Sequence, residues 1–281
     1  MIPAAFDYVR ATSIEHAFDL LASDEDAKLL AGGHSLVPLM KLRLATPSQL
    51  VDIGRLTTLR YVEDRGDYLA IGALATHRML QTDPVVRLRA PLLATVAAEV
   101  GDPQVRHRGT IGGSVSHGDP ASDLPAALLA LGARFVVTGS AGERIVDAGD
   151  FHLGFLETAL EPAEILTEIQ VPAGRVRCAF AKFRARSIDW AVVGVAAVDT
   201  PAGVRVVLAN MGATPLRALA VEEALAGGAT AAEAAERAAE GSAPPGDLAA
   251  TPAFRCHLAR VLTARTLGEL EAQRLRTGAG M

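Results

Sequence analysis

Ala31-Gly32-Gly33-His34-Ser35 and Arg108-Gly109-Thr110-Ile111-Gly112-Gly113-Ser114 each set adjacent glycines beside a hydroxyl residue. Glycine accepts positive φ and lets the backbone come close to a ligand, which turns N–H groups into an anion-binding nest. Ser35 and Ser114 add hydroxyls that can donate to a phosphate oxygen. The first run lies between an apolar segment at 28–31 and an amphipathic helix expected over 36–44, whose N-terminus favours an anion. Two such runs could hold the two phosphates of a dinucleotide. A lone Gly-Gly pair is most often a turn, and neither run fits a Rossmann fingerprint or a P-loop lysine motif. The residues alone therefore favour a phosphate-bearing ligand only modestly.

Around these runs the chain alternates helix and strand. Thr12 to Glu15 reads as a capping box for a helix carrying Ile14, Ala17, Phe18 and Leu21 on one face. Strands are expected at 50–54, 68–72, 134–138 and 165–171, with helices at 76–80, 84–100 and 124–131. The stretch 101–123, rich in Gly, Asp and Ser, reads as an extended functional loop. Past Pro172-Ala173-Gly174, a sheet is expected at 178–184, 192–198 and 204–209. Ala-rich helices follow at 221–226, 231–239 and 252–275.

Composition narrows the function. The chain has 281 residues, half of them hydrophobic, which suits about two domains at ~150 residues each. Its net charge is −5, from 27 basic and 32 acidic residues, so it has no global attraction for nucleic acid or anionic membrane. Two cysteines, Cys178 and Cys256, are too few to ligate an iron–sulfur cluster or to staple a fold. A redox centre on this chain would have to be organic. The scattered histidines form no His-x-x-x-His or Glu-x-x-His pair, so no metal site is expected. No Gly-x-Ser-x-Gly elbow stands for a hydrolase. The N-terminal run lacks a secretory signal, and no apolar stretch approaches the ~20 residues of a membrane span. A cytoplasmic location is expected, with any membrane association made through a complex.

The glycine runs extend into longer motifs. The first continues through Leu36-Val37-Pro38-Leu39-Met40-Lys41-Leu42-Arg43-Leu44-Ala45. The second opens at Asp102-Pro103-Gln104-Val105-Arg106-His107 and continues to Asp119-Pro120-Ala121-Ser122-Asp123-Leu124-Pro125-Ala126. In order and spacing these resemble the FAD-binding medium subunit of molybdenum hydroxylases, the carbon monoxide dehydrogenase and xanthine dehydrogenase family. His107 stands where an Asn is common, and Ser116-His117-Gly118 where an Ala-His-Ala-like run is common.

The resemblance implies an α+β fold. Residues 1–173 would form a two-subdomain FAD-binding domain of the PCMH (vanillyl-alcohol oxidase-like) type, divided near 55–60. Residues 174–281 would form a smaller α/β C-terminal domain of the carbon monoxide dehydrogenase flavoprotein type. It implies non-covalent FAD held by Ala31, Gly32, Gly33, His34, Ser35 and Leu36 and by Thr110, Ile111, Gly112, Gly113 and Ser114. Asp123 would accept hydrogen bonds from FAD hydroxyls, and Leu166 would lie beside the isoalloxazine. Lys182 would stand as a cation at its pyrimidine end, stabilising the reduced ring. Trp190 lies where relatives carry an aromatic near the flavin. A strand-end Trp or an exposed strand lysine has an equally plain packing explanation. In some oxidases with a similar Gly-Gly-His-Ser loop the His bonds FAD covalently, which leaves a second meaning for His34.

The implied partners are a large molybdenum–pterin subunit and a small subunit with two-iron iron–sulfur clusters, in a dimer of heterotrimers, with an external electron acceptor. No catalytic residue is expected on this chain. Two other readings stay open. One is a stand-alone FAD oxidase or reductase of the same fold, for which Arg184, Arg186 and Asp189 are the only clustered polar candidates. The other is a nucleotide-binding regulatory protein.

Overall fold

A computed structural model describes residues 2–174 and 176–278. The chain begins with a small parallel sheet, built from β1 (Asp7–Arg10), β2 (Lys28–Leu30) and β3 (Gln49–Asp52) in the order β1-β3-β2. Parallel neighbours need crossover connections. Helix α1 (Ile14–Ser23) links β1 to β2, and α2 (Leu36–Lys41) links β2 to β3. The cap of α1 is Ser13, whose hydroxyl accepts from the His16 N–H at 3.2 Å. The expected Thr12–Glu15 capping box does not form: the cap lies one residue later, and the Thr12 hydroxyl meets His16 Nδ1 at 3.0 Å. Ala17 and Phe18 of α1 pack with Val51 and Ile53.

A larger antiparallel sheet follows. It contains β4 (Val62–Asp64), β5 (Tyr68–Gly72), β6 (Arg134–Gly139) and β7 (Gly142–Asp147). After the hairpin of β8 (His152–Gly154) and β9 (Glu157–Thr158) comes its central strand, β10 (Ile165–Pro172), giving the order β4-β5-β10-β6-β7. Between β5 and β6 run α3 (His77–Thr82), α4 (Pro84–Arg89), α5 (Pro91–Ala98), α6 (Pro103–Arg108), α7 (Ile111–His117) and α8 (Asp123–Leu131), and α9 (Ala148–Phe151) follows β7.

Two expectations change here. The single helix at 84–100 is two helices, because Pro91 removes a backbone donor and bars Ala90 from helical geometry. The expected loop at 101–123 contains α6 and α7. Asp102 caps α6 by accepting from the Val105 N–H at 2.8 Å, and Thr110 caps α7 by accepting from the Gly113 N–H at 3.1 Å. Gly118, with φ +67°, ends α7 in the left-handed conformation glycine favours.

The last third is an antiparallel sheet of β11 (Cys178–Phe183), β12 (Val193–Thr200), β13 (Gly203–Ala209) and β14 (Leu216–Arg217), in sequence order, with α10 (Leu219–Ala226), α11 (Ala231–Glu236) and α12 (Pro252–Gly278). Strand β12 is covered on both faces. Val193, Val195 and Ala197 join the core beneath α10, α11 and α12. Ala196 and Val198 join the core that includes Leu124, Ala127 and Leu128 of α8. Two-sided burial explains its unbroken apolar run, and each fully buried valine is worth about 1.5–3 kcal/mol. Arg255 of α12 is fully buried; it donates to the Val192 carbonyl and pairs with Asp247 at 2.6 Å, tying the preceding loop to the sheet. Among the described residues, no helix is long and apolar enough to cross a membrane.

Candidate functional site

Where the parallel sheet, helices α3, α6 and α7 and strand β11 meet, a cavity of about 1140 Å³ opens. Its lining includes Ala31, Gly32, Gly33, His34, Ser35 and Leu36 from the first glycine run and Thr110, Gly112, Gly113 and Ser114 from the second. Asp123, Leu166, Lys182 and Trp190 line it as well. Ile111 does not: it is fully buried in the core of the second sheet. Pockets for drug-sized ligands run to roughly 300–1,000 Å³, so this cavity admits a larger one.

The two glycine runs meet at one point. A Cβ built on Gly32 would stand 2.4 Å from the Arg108 carbonyl oxygen and 2.9 Å from the Gly109 Cα. Gly33 is left-handed, at φ +78°. Among the described residues, no acceptor in the chain takes the N–H groups of Gly32, Gly33, His34 or Ser35. Four donors in a row are therefore available to a ligand.

The second run differs. Its Ile111 and Gly112 N–H groups donate to the Ala75 and Ala73 carbonyls at 3.0 and 2.9 Å. Its Gly113 and Ser114 N–H groups donate to the Thr110 hydroxyl and carbonyl. The run is the capped first turn of α7, and of its N–H groups from Thr110 to Ser114 only that of Thr110 has no acceptor among the described residues. A Cβ on Gly112 would stand 2.5 Å from the Ala73 Cβ and 2.7 Å from its carbonyl oxygen, so that glycine permits packing against the segment after β5. The nest reading thus applies to the first run. The second supplies a close wall and the Ser114 side chain.

Asp123 and Lys182, expected to act separately, are partners. Lys182 Nζ lies 2.6 Å from Asp123 Oδ2, with the two side chains only 3% and 5% exposed. Burial pushes the Asp123 carboxyl up to about 6, against the pull of the Lys182 ammonium. Asp123 Oδ1 is buried and has no hydrogen-bond partner. An acceptor is therefore left for a ligand hydroxyl or N–H beside a compensated cation. Leu166, on β10, is buried, whereas Trp190 is half-exposed at the cavity edge beside exposed Ile188.

His77 also lines the cavity and had no sequence signal beyond its place after the Thr76 cap of α3. Its N–H donates to the Gly109 carbonyl at 3.0 Å, and its ring packs against Gly109. It is 5% exposed with Nδ1 unpartnered. Burial, then the neighbouring His34 and Arg106, lowers its pKa to about 4. No group of three or more His, Cys, Asp or Glu among the described residues could hold a metal ion.

The residues present fit FAD. Open backbone donors on a run free of Cβ atoms suit a pyrophosphate. Apolar walls at Leu30, Ile53, Leu74 and Leu166 suit a ring system, and the unpartnered Asp123 oxygen suits a polar edge.

Comparison with known proteins agrees. Residues 4–174 match the FAD binding domain in molybdopterin dehydrogenase, and residues 178–270 match the CO dehydrogenase flavoprotein C-terminal domain. The carbon monoxide dehydrogenase medium chain of Hydrogenophaga pseudoflava is 40% identical over 279 residues, covering 95% of this chain and 97% of its own. The nicotine 6-hydroxylase medium subunit of Paenarthrobacter nicotinovorans is 35% identical, covering 96% and 98%. A solved carbon monoxide dehydrogenase from H. pseudoflava superposes with a TM-score of 0.93 at 41% identity, covering 97% of this chain and 99% of that one. Quinoline 2-oxidoreductase from Pseudomonas putida 86 gives 0.91 at 34% identity, with coverages of 97% and 99%. The chain belongs to the FAD-binding medium subunits of the molybdenum hydroxylases.

Proposed function

We propose that this chain is the FAD-carrying electron-transfer subunit of a molybdenum hydroxylase complex. It takes electrons from two-iron iron–sulfur clusters on a small subunit and passes them to an external acceptor, while a large subunit carries the molybdenum–pterin centre. The assembly is a dimer of heterotrimers in the cytoplasm. Residues 1–173 hold the cofactor and residues 174–281 close its pocket. FAD, when bound, supplies a centre that accepts and releases electrons one or two at a time.

The chain's own residues bind and orient. Gly32, Gly33, His34 and Ser35 present donors to the pyrophosphate, with Ala31 and Leu36 flanking them. Thr110, Gly112, Gly113 and Ser114 wall the same site, and Ile111 anchors that wall from the core. Asp123 accepts through its free oxygen, Leu166 packs on the ring, Lys182 supplies the cation and Trp190 covers the edge. Attachment is non-covalent, with His34 acting as a loop residue.

The observation that carries this reading is the row of four unpartnered N–H groups sharing one cavity with the buried Asp123–Lys182 pair. Purification tests it. The expected product is yellow, releases FAD on acid precipitation and co-purifies with molybdenum- and iron-containing chains. Turnover of an organic substrate by the chain alone would favour the stand-alone oxidase instead. Flavin that stays with the precipitate would show a covalent bond.

A further inference from the structure

Two cations from the C-terminal sheet converge on one residue of the helical layer. Lys182 and Arg184 are two apart, at the end of β11 and just beyond it, so they leave the same side of the chain. Lys182 Nζ lies 3.4 Å from the Glu99 carbonyl oxygen and Arg184 Nη1 lies 3.2 Å from it. Arg184 Nη1 also lies 2.7 Å from Glu99 Oε2. Glu99 is the C-cap of α5, whose final carbonyls carry the negative end of the helix dipole. Arg184 thus grips Glu99 by both carboxylate and carbonyl, and the same carbonyl faces the Lys182 ammonium. On its other side that ammonium meets Asp123.

Neither Arg184 nor Glu99 lines the cavity, and the two side chains are 28% and 39% exposed. An ion pair that open adds little to stability. Its contacts run toward Lys182, a buried cation on a flexible four-carbon stem whose ammonium meets the Asp123 carboxylate and, more loosely, the Glu99 carbonyl.

We propose that Arg184 and Glu99 are a positioning pair: by fixing the Glu99 carbonyl they hold Lys182 against Asp123, and so set where the cation stands relative to the bound flavin. This rests on the FAD reading above. It also makes the seating of the C-terminal sheet on α5 part of the cofactor site.

Three variants of the full chain test it: Arg184→Gln, Arg184→Lys and Glu99→Gln. The readouts are FAD affinity from titration of the flavin-stripped chain, the midpoint potential of the bound flavin, and Tm. Losing one charge-assisted contact predicts FAD binding about 3- to 10-fold weaker for Arg184→Gln. The potential should also move to a more negative value, since the cation no longer favours added negative charge on the ligand. Arg184→Lys should recover most of both. Glu99→Gln should have a smaller effect, because the backbone carbonyl remains to accept from both cations. Arg217→Gln, which breaks the Arg217–Glu222 pair on β14, should move neither flavin readout. If Arg184→Gln lowered Tm but left affinity within twofold and the potential unchanged, the pair would be structural only. A wild-type chain that bound no FAD would instead overturn the cofactor reading, and this proposal with it.

Discussion

The two glycine runs look alike in sequence and do different work. In Ala31–Ser35 the backbone is open: one glycine is left-handed, the other touches a neighbouring carbonyl, and the N–H groups await an acceptor. In Thr110–Ser114 a similar Gly-Gly pair lies in a capped helical turn whose N–H groups from Ile111 to Ser114 are satisfied. The first run needs glycine to present donors, and the second needs it to let a helix approach a sheet. The same Gly-Gly pair therefore predicts different consequences in the two runs when the glycines are changed.

The largest expected effect lies where the runs meet, at His77. Its pKa is about 4 in the folded chain and near 6.5 when unfolded. Between those values the unfolded chain binds a proton that the native state refuses, so this contribution is full above pH 6.5 and is lost as pH falls toward 4. One proton over that window amounts to about 3 kcal/mol. Asp123 acts in the opposite sense, because its raised pKa makes stability grow as pH falls below about 6. Denaturant melts of wild type and His77→Gln at pH 7 and pH 4.5 isolate the histidine. The wild type should lose more than the variant, and equal losses would remove His77 from the account.

Next comes Gly112→Ala. Its methyl would stand 2.5 Å from the Ala73 Cβ, and overpacking of this kind costs about 1–3 kcal/mol. Tm should drop by several degrees, at about 2–4 °C per kcal/mol, in the flavin-stripped chain as well. Gly32→Ala should move both readouts. Its methyl would stand 2.4 Å from the Arg108 carbonyl oxygen at the cavity, so FAD affinity should fall by about 10-fold and Tm should drop as well. The smallest effect is expected at Gly113, where a methyl meets only the Thr110 hydroxyl, at 2.8 Å, within the first 4 Å of non-adjacent side chain or backbone apart from Ala31. Gly113→Ala gains about 1 kcal/mol of helix propensity against that contact, so stability and affinity should both stay near wild type. A Gly113→Ala chain without FAD would show that the second run, too, must admit the ligand's backbone contacts.

Much of this architecture was legible from sequence. Tyr68–Gly72 and the strands of the C-terminal sheet stand out because burial leaves long β-branched and aliphatic runs. Strand β7 was missed because it is an edge strand whose exposed positions carry Glu143, Ile145 and Asp147. Helices α6 and α7 were missed because glycine, serine and charged residues erase their apolar period, leaving only the caps Asp102 and Thr110 as signals. Of the site, the residues were readable but their connections were not. Asp123 and Lys182 sit 59 positions apart, and no local pattern announces that one neutralises the other. His77 carries no motif at all; only its burial and its unpartnered nitrogen single it out.

The Lys182 side of that pair has a consequence for biosynthesis. The chain is made from its N-terminus, and the open donors at Gly32 to Ser35 emerge early. The wall that carries Lys182 and Trp190 belongs to a sheet whose covering helix, α12, runs to Gly278. A ribosome-bound chain thus carries the Gly32–Ser35 segment for most of its synthesis with the counter-wall missing. The cavity is therefore enclosed only after the C-terminal sheet has been made, and the N-terminal two thirds of the chain meet its Lys182 wall last.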